Sequence, residues 1–246
     1  MVAYGGVEVQ LMPRAEFLTR WRYRKGEHVT ILGPSQSGKT TLGFQLLESV
    51  ISPDLLAYML VMKPRDPTVS EFAKRANLRR VKTFPPSITS SLWDRFLGRH
   101  PSGYLIWPEH TYDPDIDDIR LYHDFRRAMI HAYRDRRPNI VVADEAGGVA
   151  KELNLERTLK TLLMRGSSND TGCWEFSQRP VDMPVHGYSQ ATHLFMHRDP
   201  DKRNRERLRE IAGQNDPKEI DQLVTFIPKH HFLYTHQAGG RLVIGP

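Results

Sequence analysis

Lys39, Thr40, Asp144 and Glu145 are the side chains whose types and spacing point most directly to chemistry. The first two close the stretch Gly33-Pro34-Ser35-Gln36-Ser37-Gly38-Lys39-Thr40, a G-x-x-x-x-G-K-T pattern. Glycines at both ends let the backbone curl so that successive N–H groups face one concavity, and such a nest binds phosphate oxygens. A helix starting there adds unpaired N–H groups and roughly +0.5 charge at its N-terminus. Lys39 then reaches the β- and γ-phosphates of a nucleotide, and the Thr40 hydroxyl holds Mg²⁺. Asp144 and Glu145 end the apolar run Asn139-Ile140-Val141-Val142-Ala143. Open α/β sheets bind ligands at such strand ends. Asp144 suits the metal's hydration shell opposite Thr40, and Glu145 suits orienting and deprotonating an attacking water. An apolar run followed by Asp-Glu says little alone; downstream of a phosphate loop it says much.

Elements of the right kind surround these residues. His28 to Leu32 reads as a buried strand, and Thr41 to Leu47 has the spacing of a helix with one apolar face. Strands are expected over Leu55–Met62, Leu78–Phe84, Gly103–Trp107, Asn139–Ala143, Cys173–Ser177 and His193–His197. Helices are expected over 14–24, 69–76, 90–97, 119–134, 151–164, 199–212 and 217–224. Strands alternating with helices predict an α/β fold, a mostly parallel sheet covered on both faces. Val7 to Leu11 alternates like an edge strand, and Phe232–His236 with Arg241–Ile244 reads as a terminal β-hairpin around Gly239-Gly240. Residues 1–26 are expected to be a short lead-in and 27–246 a single domain.

Composition bounds the rest. The 246 residues are 39% hydrophobic, which fills one α/β core and leaves little for a second. Lys plus Arg is 35 against 29 Asp plus Glu, a net charge of +6 that mildly favours a polyanionic partner. A lone cysteine, Cys173, excludes an internal disulfide framework. No apolar run approaches the roughly 20 residues needed to span a bilayer, and Met1 to Gln10 lacks a signal-peptide pattern. A soluble cytoplasmic protein is expected. Asp113, Asp115 and Asp117 fall at alternate positions, but the glycine and final Glu of a calcium loop are missing, so a helix lead-in is expected. His193 and His197 would sit on one face of a strand, well apart, and no third ligand is offered. No metal is expected from that pair.

The order of motifs resembles the FtsK/HerA branch of P-loop ATPases, a RecA-like family of DNA translocases. Four blocks carry the resemblance: Gly33 to Thr41, Ile140 to Ala146, the Arg165-Gly166 loop, and Phe176-Ser177-Gln178-Arg179-Pro180. It extends over most of the chain from His28 onward. The resemblance implies ATP and Mg²⁺ as ligands, with Gly33 to Thr41 around the phosphates and Thr40 and Asp144 on the metal. It implies Glu145 as general base, Gln178 as γ-phosphate sensor, and Arg165 as the finger reaching a neighbouring subunit's nucleotide, with Arg179 the second candidate. It further implies double-stranded DNA as substrate, a homo-oligomeric ring of five or six subunits, and docking to a portal or a membrane-anchored protein. The first 26 residues are too few for the N-terminal barrel of HerA-type helicases, and no winged-helix domain is present. That compactness is similar to the small genome-packaging ATPases of viruses.

Two other readings stand beside this one. A nucleotide-dependent assembly or partition ATPase would bind protein partners without moving DNA. A small-molecule kinase would share the phosphate loop, but Glu145 occupies the place where water is activated, which favours hydrolysis. Arg75 to Lys82 and Arg126 to Arg137 are the candidate stretches for gripping DNA phosphates.

Overall fold

The computed structural model describes residues 1–86, 100–209 and 216–246. The helix expected over 90–97 and the end of the one expected over 199–212 lie outside them.

The described strands are β1 (Val2–Tyr4), β2 (Val7–Pro13), β3 (Val29–Leu32), β4 (Leu56–Leu60), β5 (Leu78–Val81), β6 (Gly103–Ile106), β7 (Asn139–Ala143), β8 (Thr171–Ser177), β9 (His193–His197), β10 (Phe232–His236) and β11 (Arg241–Gly245). They join in one sheet in the order β1-β2-β11-β10-β9-β3-β8-β7-β4-β6-β5. The block from β9 to β5 is parallel throughout. β10 runs antiparallel to β9 and forms the expected terminal hairpin with β11.

Burial on both faces explains why the central strands are apolar without alternation. Val141 and Ala143 of β7 pack with Phe125 and Met129 of the helix Pro114–Arg134 and with Leu159 and Leu162 of the helix Glu156–Arg165. Ile140 and Val142 join the other layer, with Leu42 and Leu46 of the helix Lys39–Glu48 and Val69 and Phe72 of the helix Pro67–Arg75. No helix among the described residues is long and apolar enough to cross a membrane.

Several elements differ from expectation for local reasons. β2 is not at the edge: β1 folds back on it through Gly5-Gly6, both at positive φ, and β11 pairs with it in parallel on the other side. The first helix covers only Arg14–Arg20, because Trp21 is extended at its C-cap. The helix expected over 151–164 starts only at Glu156 and runs to Arg165, because Asn154, at φ 52°, separates it from an earlier helix, Ala146–Lys151, that was not expected. The helix expected from Ile119 begins at Pro114, where the Asp113 carboxylate accepts the Asp115 N–H at 3.1 Å. Asp117 accepts the Thr111 and Tyr112 N–H groups at 2.8 and 3.0 Å, and these bonds, the Thr111 amide first, hold its carboxyl below the usual range. Two of the alternating carboxylates therefore cap backbone.

The helix Lys39–Glu48 sits on β8 at close range because Gly43 faces the Phe176 ring, which a Cβ would overlap. Gly43→Ala improves helix propensity by about 1 kcal/mol. Overpacking a filled core costs about 1–3 kcal/mol. The steric cost should win, and the variant's urea midpoint should fall.

Candidate functional site

β3, β8 and β7 are adjacent and parallel, so their C-terminal ends share one edge of the sheet. At about 4.8 Å per strand, the loop after β3 and the carboxylates after β7 stand roughly 10 Å apart, with the end of β8 between them. The Gly33 N–H donates to the Ser177 carbonyl at 3.1 Å, which ties the start of the loop to β8. Gly33 has no room for a side chain: a Cβ would lie 2.6 Å from His197 Cβ and 2.8 Å from Ser37 Oγ. Gly38 has φ 96° and caps the helix Lys39–Glu48. Ser35, Gln36 and Thr41 are exposed, whereas Ser37 is buried with its hydroxyl unpartnered.

Lys39 and Asp144 are both 6% exposed. Burial lowers the Lys39 pKa, while the charges of Glu145 and Asp144 oppose that shift. Burial raises the Asp144 pKa, opposed by Lys63, by Lys39 and by the Thr40 hydroxyl beside it. Asp144 Oδ1 is buried and has no hydrogen-bond partner. Glu145 is likewise raised by burial, and its Oε2 accepts a hydrogen bond from Gln178 Nε2 at 3.0 Å. Lys39, Thr40, Asp144, Glu145 and Gln178 are therefore brought together. A buried, unpartnered carboxylate oxygen beside a hydroxyl is an oxygen-donor set that fits Mg²⁺.

Arg179 lies on this same edge, exposed and 3.6 Å from Asp182. Arg165 does not. It ends the helix that leads into the start of β8, and the seven residues of β8 separate it from the edge that carries Lys39 and Asp144. At about 3.3 Å per residue that is more than 20 Å.

Lys63 is a site residue that the sequence reading missed. It follows β4, the neighbour of β7, and although burial disfavours its charge, Asp144, Asp66 and Glu145 raise its pKa. Its Nζ lies 3.3 Å from Asp66, and its carbonyl accepts the Trp107 indole N–H at 2.8 Å. The signal was available: a lysine just past an apolar strand that must lie beside the Asp-Glu strand. On the other flank, a cavity of about 290 Å³ opens between Pro34–Ser37 and the side chains of Pro200, Lys229 and His230. His197 lines it, buried with both ring nitrogens unpartnered, and burial followed by Arg14 and Lys39 pushes its pKa down to about 3.

No protein-family model matches this sequence, and no curated protein matches it. Solved structures do match. The DNA-packaging ATPase B204 from Sulfolobus turreted icosahedral virus is 14% identical, with 91% of this chain aligned to 99% of that one at a TM-score of 0.63. The genome-packaging NTPase B204 from Sulfolobus turreted icosahedral virus 2, in complex with AMPPCP, is 14% identical over 91% of this chain and all of the other, TM-score 0.57. EssC (ATPases 2 and 3) from Geobacillus thermodenitrificans is 13% identical over 91% of this chain and 40% of its own, TM-score 0.50. The chain has the fold of these P-loop ATPases, the fold that the sequence resemblance implies.

Glu175 on β8 lies outside the cluster and is fully buried, with neither oxygen partnered. Burial pushes its pKa from 4.5 up to about 8. The folded state therefore favours the protonated form. That stabilisation is complete below about pH 4.5 and is lost as pH rises through about 8. Glu175→Gln should match the natural chain in acid and exceed it in alkali by on the order of a few kcal/mol. Urea titrations across that range check the sign.

Proposed function

We propose that this chain is a Mg²⁺-dependent ATPase of the FtsK/HerA type that moves double-stranded DNA as a homo-oligomeric ring, with viral genome packaging as its setting. The observation that carries the reading is the convergence of Lys39, Thr40, Asp144, Glu145 and Gln178 on one edge, with Gln178 holding Glu145 at 3.0 Å. The fold it shares with the packaging ATPase B204 supports the choice of motor over kinase. In this reading residues 27–246 form the ATPase domain and residues 1–26 lead into it.

Gly33 to Thr41 cradle the phosphates, and Lys39 answers their charge. Thr40 and Asp144 hold the Mg²⁺. The ion would neutralise charge on the phosphate oxygens. Glu145 takes the proton from the attacking water; its raised pKa brings it nearer the working pH, where a general base is most effective. Gln178 keeps Glu145 oriented and registers what occupies the phosphate site. The cavity beside Pro34–Ser37 takes the remainder of the nucleotide.

The finger has two candidates. Arg179 is on the nucleotide edge, held near Asp182. Arg165 is at the far end of β8 and can serve only a neighbouring subunit. For the DNA grip, the stretch from Arg75 to Lys82 is tied down: Arg75 to Glu48, Arg80 over the Trp107 ring, Lys82 to Glu109. Arg126, Arg127 and Arg134 on the helix Pro114–Arg134 are exposed and have no ion-pair partner among the described residues. They are the better grip.

Glu145→Gln should still bind ATP but lose about 10²-fold or more in turnover; normal turnover in that variant removes the base assignment. Duplex DNA should stimulate the natural chain's ATPase, and the stimulation should fade at high salt. Arg126→Glu with Arg127→Glu should abolish stimulation and spare basal turnover. An ATPase indifferent to DNA would favour the assembly-factor reading. Arg165→Ala mixed with Lys39→Ala should regain activity in assembled rings if the finger acts in trans. Failure of that rescue, with rescue by Arg179→Ala mixtures, assigns the role to Arg179.

A further inference from the structure

At the end of the sheet opposite the nucleotide edge, three ligand-type side chains from distant parts of the chain meet. His193 opens β9, His236 closes β10 directly across the ladder from it, and Glu27 lies two residues before β3. His193 Nε2 is 3.0 Å from Glu27 Oε2. The His193 and His236 rings meet edge to face with centroids 5.0 Å apart. One ligand atom from each of the three lies within 4.8 Å of the others.

We propose that Glu27, His193 and His236 bind one divalent ion of the zinc class. Its fourth position is left to water, and the ion fastens the segment before β3 and the end of β10 to the start of β9. Zinc bonds of about 2.0–2.1 Å in a tetrahedron put ligand atoms roughly 3.4 Å apart. The His193–Glu27 pair already has about that spacing, so His236, the half-exposed arm, makes the closing movement. That movement exchanges one bond, because His236 Nδ1 accepts the Ala238 N–H at 3.0 Å. For His193, Nδ1 now accepts the Trp21 indole N–H at 3.3 Å. Ligation through Nε2 moves the ring proton to Nδ1, where the Tyr234 hydroxyl oxygen stands 2.9 Å away to accept it. The indole N–H turns to that same hydroxyl, which is also within its reach. A hydroxyl in that place fixes the tautomer and orients the ring, as partners of metal-bound histidines do. Two imidazoles and one carboxylate select a borderline-soft ion, whereas the Thr40 and Asp144 oxygens suit Mg²⁺. The two sites therefore sort different metals at opposite ends of one sheet.

The test uses the full chain, stripped with chelator and titrated with Zn²⁺ while excess Mg²⁺ is present. One equivalent should bind, with a rise in melting temperature that saturates at that equivalent. Co²⁺ in place of Zn²⁺ should give the visible absorption of a four-coordinate site. His236→Ala and the near-isosteric Glu27→Gln should each weaken Zn²⁺ binding by about tenfold or more. His230→Ala, at the other end of the molecule, should not. The proposal is overturned if the natural chain takes up no stoichiometric Zn²⁺ or Co²⁺. It is equally overturned if uptake survives both His236→Ala and Glu27→Gln, or is lost in His230→Ala. The natural chain's own titration decides the matter even if a variant fails to fold, and neither readout depends on ATP turnover.

Discussion

The site depends on keeping an ammonium and two carboxylates charged beside one another where little water reaches them. A lone ion taken out of water loses several kcal/mol even after the protein relaxes. Lys39 and Asp144 both feel that loss, and burial pushes each toward its neutral form. What opposes the push is mutual: Asp144 and Glu145 hold Lys39 charged, while Lys39 and Lys63 hold Asp144 charged. Two cations thus face two carboxylates, and no one of the four can be removed without exposing another. A polyphosphate entering with a divalent ion adds negative charge beside Lys39 and positive charge beside Asp144. Each partner then trades its neighbour for a ligand of the same sign, so binding loosens a pairing without stranding a charge.

This balance is possible because of strand order. Placing β8 between β3 and β7 leaves one strand's width between the loop and the carboxylates. It also delivers Gln178 into that space, in reach of Glu145. Parallel strands put all of these at one edge, which antiparallel neighbours would split between two ends. The close seating of the helix Lys39–Glu48 follows from two absent side chains. Gly33 clears the His197 Cβ, and Gly43 clears the Phe176 ring. Any outward shift of that helix would carry Lys39 away from β7.

Much of this was legible in the chain because the features are local. A glycine-bounded loop, a β-branched run and the terminal hairpin are each specified within about ten residues, and all appear where expected. What escaped depends on partners far away in sequence. Lys63 looks like a turn residue until β4 is seen to lie beside β7. β2 reads as an edge because its alternation is real, yet its neighbour β11 comes from the other end of the chain. The late start of the helix after Asn154 escaped for a different reason: the polar residues before Leu155 carry no glycine or proline to mark a break, and one residue in the left-handed region is enough to keep a helix from running through.

β9 makes the same point within five residues. His193 and His197 point to one face, as alternation requires, but their surroundings share nothing. His197 lies under the phosphate loop with neither nitrogen partnered, surrounded by Arg14, Lys39 and His230, so it is held neutral and acts there as a shaped apolar block against Gly33. His193 has a carboxylate at one nitrogen, and a phenol and an indole N–H at the other. Spacing along a strand assigns a face; the elements packed against that face decide what a histidine there does. For His193 those elements are the segment just before β3, the Trp21 indole and the terminal hairpin.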